Sequence, residues 1–396
     1  MRKPKETCMS QPRWHLFAAV ALTLVPLCGM AADPGITKDE IRIGTIQDLS
    51  GPLAAYSKET LNGMNMRIGE SNAAGGVAGR KIKLLVEDSG YDTKKAMLAA
   101  QKLSQSDGIF AVAGSMGTTI ALTTEQVFMD AGVVNLFPLG SARGLYEPPE
   151  MKFAFSVPYF QQGKAIVKAL NASHADRKWC SLVQDDDLGS ELMAGVDAAM
   201  KPIGKTIGER TTYKRGATDF SSQVARLKGA GCDTVVLGTT LRETVGTLNE
   251  AKKIGFAPQF VATSAAYTHL LAKLGGPVAE GLLASHSATQ PYADEGPAQA
   301  RAWFAAYKAK YNEDPGQFAV MGYGIMDWTI KTLEKVGPNL TTKRFVETLE
   351  SSSFPRDKLG FDTMTFTKTK HLGSEGVRVS QMKNGKWLPI TDFVAP

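Results

Sequence analysis

Runs of β-forming apolar residues alternate with amphipathic stretches along most of this chain, and that alternation restricts the fold more than any other feature. It begins at 41–49, 61–72, 81–88, 96–104 and 109–114, then continues through 133–138 and 153–158. Strand and helix in strict succession predict parallel strands covered by helices, an α/β architecture. The pattern starts afresh at 179–184, 211–213, 234–238 and 260–263, so a second sheet is expected from about Trp179. After Gly281 a strand-like run leads into helical patterns at 298–311, 318–336 and 342–351, which are placed to return to the first lobe. The tail reads differently. Segments 377–382 and 387–390 flank Asn384 and Gly385, residues that accept the positive φ of a tight hairpin turn.

The N-terminus has the order of a signal peptide: Arg2, Lys3, Lys5 and Arg13, then an apolar run from Leu16 to Leu27, then small residues at Gly29, Ala31 and Ala32. The run is shorter than the roughly 20 residues that span a bilayer, so cleavage near residue 31 is expected and a permanent anchor is not. Leu27 is bulkier than the small residue that precedes a lipidated cysteine, so Cys28 is not expected to carry a lipid. The protein is therefore expected in the periplasm. About 365 residues remain, more than one core usually serves, and two lobes follow. The formal charge of +6 falls once the basic leader is gone, which argues against nucleic acid as a partner. Of four cysteines, only Cys180 and Cys232 belong to the folded part; an oxidising compartment lets them pair, and two isolated thiols are the other reading.

Within 41–97, a first strand is followed by the Ser50-Gly51-Pro52 turn, a helix, the turn Asn72-x-x-Gly75-Gly76, and a second strand ending in Glu87-Asp88. Together with segments 111–117, 136–142, 218–238 and 278–284, this order resembles the type I periplasmic solute-binding proteins of the leucine/isoleucine/valine-binding family, over nearly the whole mature chain. The resemblance implies two Rossmann-like parallel-sheet lobes joined by three hinge crossings, near 155–159, 285–290 and 361–366, with the ligand cleft between them. It divides the chain into a signal peptide (1–31), lobe 1 (36–156 plus 286–362) and lobe 2 (157–285 plus 363–396). It also implies a monomer that captures a small carboxylate-bearing molecule for an ABC permease in the inner membrane, with no cofactor.

In open parallel sheets, ligands bind where strands end and helices begin, because loops and free helix amides converge there. In the first lobe this singles out 114–119, where backbone amides with Ser115, Thr118 and Thr119 are suited to a carboxylate; Thr118 as a plain helix N-cap is the alternative. The second segment, 137–143, offers Leu139 and Ser141, with Arg143 beside them for a second acid group. Tyr56 is placed to cover one side or to serve as ordinary packing. By resemblance the second lobe contributes Leu188, Thr240 and Ser264, where amino-acid binders have a tyrosine, a further aromatic and an acid that neutralises the ligand ammonium. With those anchors missing, an enclosed ammonium would go without its counter-charge, which costs several kcal/mol. An aromatic or aliphatic acid is therefore preferred to a branched-chain amino acid, unless one of Asp185 to Asp187 turns into the cleft.

An enzyme is the main rival. No G-x-S-x-G elbow surrounds Ser115, Ser141 or Ser190, and H-E-x-x-H and phosphate-loop motifs are missing too. The histidines of the mature part, His174, His269, His286 and His371, are scattered, so no metal site is expected. A ligand-sensing receptor of the same fold is the second rival.

Overall fold

The computed structural model describes residues 33–171, 176–357 and 359–393, besides Met1. The expected signal peptide, Cys28 and His174 lie outside the described residues. The elements run β1 (Glu40–Gln47), α1 (Ala54–Ala73), β2 (Lys81–Asp88), α2 (Thr93–Gln101), β3 (Ala111–Ala113), α3 (Thr118–Asp130), β4 (Val134–Leu136), β5 (Lys152–Phe153) and α4 (Tyr159–Asn171). There follow β6 (Trp179–Gln184), α5 (Asp187–Met200), β7 (Arg210–Tyr213), α6 (Ser221–Gly229), β8 (Thr234–Gly238), α7 (Leu241–Lys253), β9 (Gln259–Ala262), α8 (His269–Gly275) and β10 (Leu283–His286). The last third holds α9 (Ala298–Tyr311), α10 (Gln317–Val336), α11 (Thr342–Leu349), β11 (Ser353–Phe354), β12 (Met364–Thr365), β13 (Arg378–Lys383) and β14 (Lys386–Pro389).

Two sheets result. The first has the order β2-β1-β3-β4-β5 and is parallel throughout. The second has the order β14-β13-β10-β9-β8-β6-β7, parallel from β7 to β10, with β13 and β14 added antiparallel as a hairpin. Asn384 and Gly385 turn that hairpin at φ 51° and 75°, as their side chains predict.

The helices α10 and α11 do return to the first sheet. α1 and α10 cross where Gly63 meets the Ala319 carbonyl and Gly322 meets the Thr60 carbonyl; a Cβ at either glycine would fall about 2 Å from backbone oxygen. Phe345 of α11 is fully buried edge-on against Phe110 beside β3, a burial worth about 2–3 kcal/mol. α1 starts seven residues earlier than its apolar pattern, because the Asp48 carboxylate accepts the amides of Gly51 (2.5 Å) and Leu53 (2.7 Å) and so fixes the turn that launches it. The third crossing also comes later than 361–366. β12 pairs with β11, Phe366 packs on Phe137 and Phe153, and Leu372 bridges to Ala154, so the chain reaches the second sheet only at Arg378. Cys180 and Cys232 are disulfide-bonded, closing a sequence separation of 52 residues. Among the described residues, no helix is long and apolar enough to cross a membrane.

Candidate functional site

A cavity opens at the carboxyl ends of both sheets. Its volume is about 50 Å³, and residues of both lobes line it.

The first-lobe wall is built on two strand ends. β3 and β4 are prolonged by a parallel bridge between Met116 and Leu139, in which Leu139 donates to the Ser115 carbonyl (2.8 Å) and Gly117 to the Leu139 carbonyl (3.0 Å). Gly117, at φ 102°, is the N-cap of α3; a Cβ there would lie 2.6 Å from the Tyr91 ring. Thr118 is thus the first helical residue and caps nothing. Its hydroxyl accepts the Ser141 amide (3.2 Å), which draws the two expected segments together. No side chain caps α3, and Gly117 and Thr118, where the helix and the positive end of its dipole begin, line the cavity with Ser141. The Tyr159 hydroxyl lies against both. Burial, with Tyr91 nearby, pushes Tyr159 above the usual tyrosine range, and burial beside Asp186 pushes Tyr91 up to about 12. Both hydroxyls therefore stay protonated donors. An anion held here would be met by neutral dipoles, since among the described residues no lysine or arginine lines the cavity.

Seven of the nine expected residues line this one cavity: Tyr56, Thr118, Leu139, Ser141, Leu188, Thr240 and Ser264. Two do not. The Ser115 hydroxyl turns inward and accepts the Ile46 amide (3.4 Å), and the Thr119 hydroxyl points across the lobes to Asp186 (3.2 Å). Tyr56 stacks on Phe318 at 4.0 Å and donates to the Ala265 carbonyl of the other lobe (2.8 Å). Ser264 is fixed by Gln162, whose amide nitrogen donates to its hydroxyl (3.0 Å) and whose oxygen accepts its amide (3.0 Å). Arg143 does not await a second acid group: it pairs with Glu191 (3.1 Å) and lies over the Phe160 ring.

Tyr91, Tyr159, Phe318 and Met321, outside the expected set, also line the cavity. Tyr91 follows the end of β2, so the strand-end rule was signal enough. Phe318 begins α10, far along the chain, and no local pattern announces it. An acid does lie in this part of the second lobe, Glu243, buried behind Thr240 and not at Ser264.

The lobes meet through a second set of contacts. Asp186, the N-cap of α5, accepts from Leu188 N (3.0 Å), Gln184 Nε2 (2.6 Å), Thr119 and Arg215 Nη2 (2.9 Å). Arg215 also donates to the Tyr91 carbonyl (3.2 Å) and lies over the Tyr91 ring at 4.6 Å. Asp185 pairs with Lys214 at the surface. Asp186 is thus neutralised by Arg215 and Asp185 by Lys214, and neither lines the cavity. Arg215→Ala removes two of the contacts between lobes, the hydrogen bond to the Tyr91 carbonyl and the cover over its ring, and replaces no lining residue. Ligand affinity is expected to fall about tenfold, roughly 1.4 kcal/mol, and scattering from the liganded protein to show a larger radius of gyration. An unchanged radius and affinity would make the contact incidental.

Comparison with known proteins agrees with this geometry. The sequence profile described as periplasmic binding protein matches residues 40–386. The leucine-, isoleucine-, valine-, threonine- and alanine-binding protein of Pseudomonas aeruginosa is 27% identical over 357 residues, 88% of this chain and 91% of its own length. Among solved structures, a fatty acid ABC transporter substrate-binding protein from Thermomonospora curvata superposes with a TM-score of 0.84 at 22% identity, covering 92% of this chain and 95% of its own. A solute-binding protein from Rhodopseudomonas palustris BisB5, in complex with 3,4-dihydroxy benzoic acid, gives 0.80 at 19% identity, with coverages of 90% and 98%. Two parallel-sheet lobes, a cavity at their strand ends and a profile match across the folded chain lead to one conclusion: this chain belongs to the periplasmic binding protein family, and it is a solute-binding protein, not an enzyme.

Proposed function

We propose that this protein is the periplasmic substrate-binding component of an ABC importer, capturing a small organic acid with an aromatic or aliphatic body and presenting it to an inner-membrane permease as a monomer. The observation that carries the reading is the uncapped N-terminus of α3, with the hydroxyls of Thr118, Ser141 and Tyr159 around it and, among the described residues, no cationic side chain in the lining. That set of donors suits one carboxylate. The rest of the cavity is formed mainly by Leu53, Tyr56, Met116, Leu188, Phe318 and Met321, which suit an apolar body. Capture proceeds by closure: the acid docks on lobe 1, and lobe 2 brings Leu188, Thr240 and Ser264 over it. A branched-chain amino acid is the second reading, favoured by the carboxylate of Glu243 behind Thr240 and by the names of the relatives.

A thermal-shift screen of the mature protein against branched-chain amino acids, aromatic acids and aliphatic acids tests it. At a hundredfold excess over its dissociation constant a ligand stabilises by roughly 2.7 kcal/mol. Stabilisation by amino-free acids supports the main reading, stabilisation by leucine and its relatives alone supports the second, and no response from any acid removes both.

A further inference from the structure

Glu243 lies in the first turn of α7 and is 2% exposed. With Thr240-Leu241-Arg242 it has the T-x-x-E form of a capping box, in which the threonine hydroxyl accepts a helix amide and the glutamate reaches back to the N-cap amide. α7 departs from that form. Thr240 is the N-cap, yet its side chain takes no amide; its hydroxyl donates to the Glu243 carboxylate instead. Among the described residues no lysine, arginine or histidine pairs with Glu243, so Thr240 is the side chain that answers this buried acid.

A hydroxyl has a single proton. Because Thr240 commits it to Glu243, the oxygen has only lone pairs left for anything on its other side, and Thr240 lines the ligand cavity. The lobes thus differ in polarity: donors at the first-lobe wall, an acceptor backed by a carboxylate at the second. We propose that Glu243, acting through Thr240, selects among acids for those carrying a hydrogen-bond donor, a hydroxyl or an ammonium, on the side that meets the second lobe. This rests on the carboxylate reading of the cleft and sharpens it. After burial itself, Glu243 is the largest influence raising the Tyr56 hydroxyl, and it adds to the rise at Tyr91. A ligand donor relayed through Thr240 offsets part of the cost of burying a carboxylate that a lone hydroxyl answers. Glu243 is a positioning residue here, touching the ligand through Thr240.

Titration calorimetry on the mature protein with matched acids provides the test. The first series is 4-hydroxybenzoate, benzoate and 4-methoxybenzoate; the second is leucine and 4-methylpentanoate. In the series whose body fits, the donor-bearing acid is expected to bind at least tenfold tighter than its donor-free match. The hydroxyl and ammonium arms separate the two sources of the donor. Glu243→Gln, whose amide can donate to Thr240 and free its proton, and Thr240→Val, which removes the relay, are each expected to shrink that ratio below threefold; a merely structural role would lower both affinities together. Equal binding of the matched acids by the unaltered protein, or a ratio that survives both substitutions, overturns the proposal and leaves the carboxylate reading standing. If no acid of either series binds, both fall.

Discussion

Replacing Thr118 and Ser141 together by alanine is expected to weaken binding of any captured acid by roughly 100-fold. Hydrogen bonds to a charged group contribute about 1.5–3 kcal/mol each, and each 1.4 kcal/mol is a factor of ten. Two lost hydroxyls would approach a larger loss, but the uncapped amides of α3 remain and retain part of the attraction. Folding is affected less. Thr118 accepts the Ser141 amide at 3.2 Å, so its removal leaves that buried amide without its partner, a destabilisation of about 1–2 kcal/mol. Ser115→Ala serves as the contrast, since the Ser115 hydroxyl turns away from the cavity toward Ile46 and its loss is expected to leave affinity within twofold. Titration calorimetry with thermal unfolding of the unliganded variants separates the two effects. Unchanged affinity in the double variant would move the carboxylate away from α3, and a large loss in the Ser115 variant would mean that the turn itself had shifted.

That contrast shows what the sequence makes legible. Alternation of strand and helix is a periodic signal, and it carries the two parallel sheets, the return of α10 and α11, and the closing hairpin at Asn384 and Gly385. The rule that ligands meet strand ends carries the first-lobe lining of the cavity to within a residue. The remaining residue is decided by dihedral angles: Gly114 at φ 61° and Gly117 at φ 102° rotate the chain between β3 and α3, so Thr118 meets the cavity while Ser115 turns inward. One step further along the helix, about 100°, aims Thr119 at Asp186 instead. Contacts made across the fold leave less trace. Phe318 stacks on Tyr56 because α1 and α10 touch through Gly63 and Gly322, and neither glycine states that purpose in sequence. Glu243 meets the cavity lining through Thr240, a contact that no local pattern announces.

Substituting Cys180 and Cys232 by serine is expected to lower the unfolding free energy by about 4 kcal/mol, the chain-entropy value for closing a loop of roughly fifty residues. Cys180 lies in β6 and Cys232 just before β8, neighbouring strands in the second sheet. The loop between them contains α5, β7 and α6, and β7 is the edge strand. An edge strand has one ladder to hold it, so this unit is where the second lobe opens first if the cross-link is lost. The cysteines stand toward the amino ends of their strands, and the cavity opens past the carboxyl ends, with Gln184 and Gly238 between. Four residues of strand separate Cys180 from Gln184, about 13 Å. The loss should therefore appear in stability and not in affinity. Denaturant unfolding with and without a reducing agent is the measurement: the unaltered protein should fall to the midpoint of the serine variant when reduced, and the variant should ignore the reductant. An oxidised protein no more stable than the reduced one would mean that the second lobe is held at its edge by packing alone, through Tyr213 against Phe220 and the burial of Val224 and Leu227.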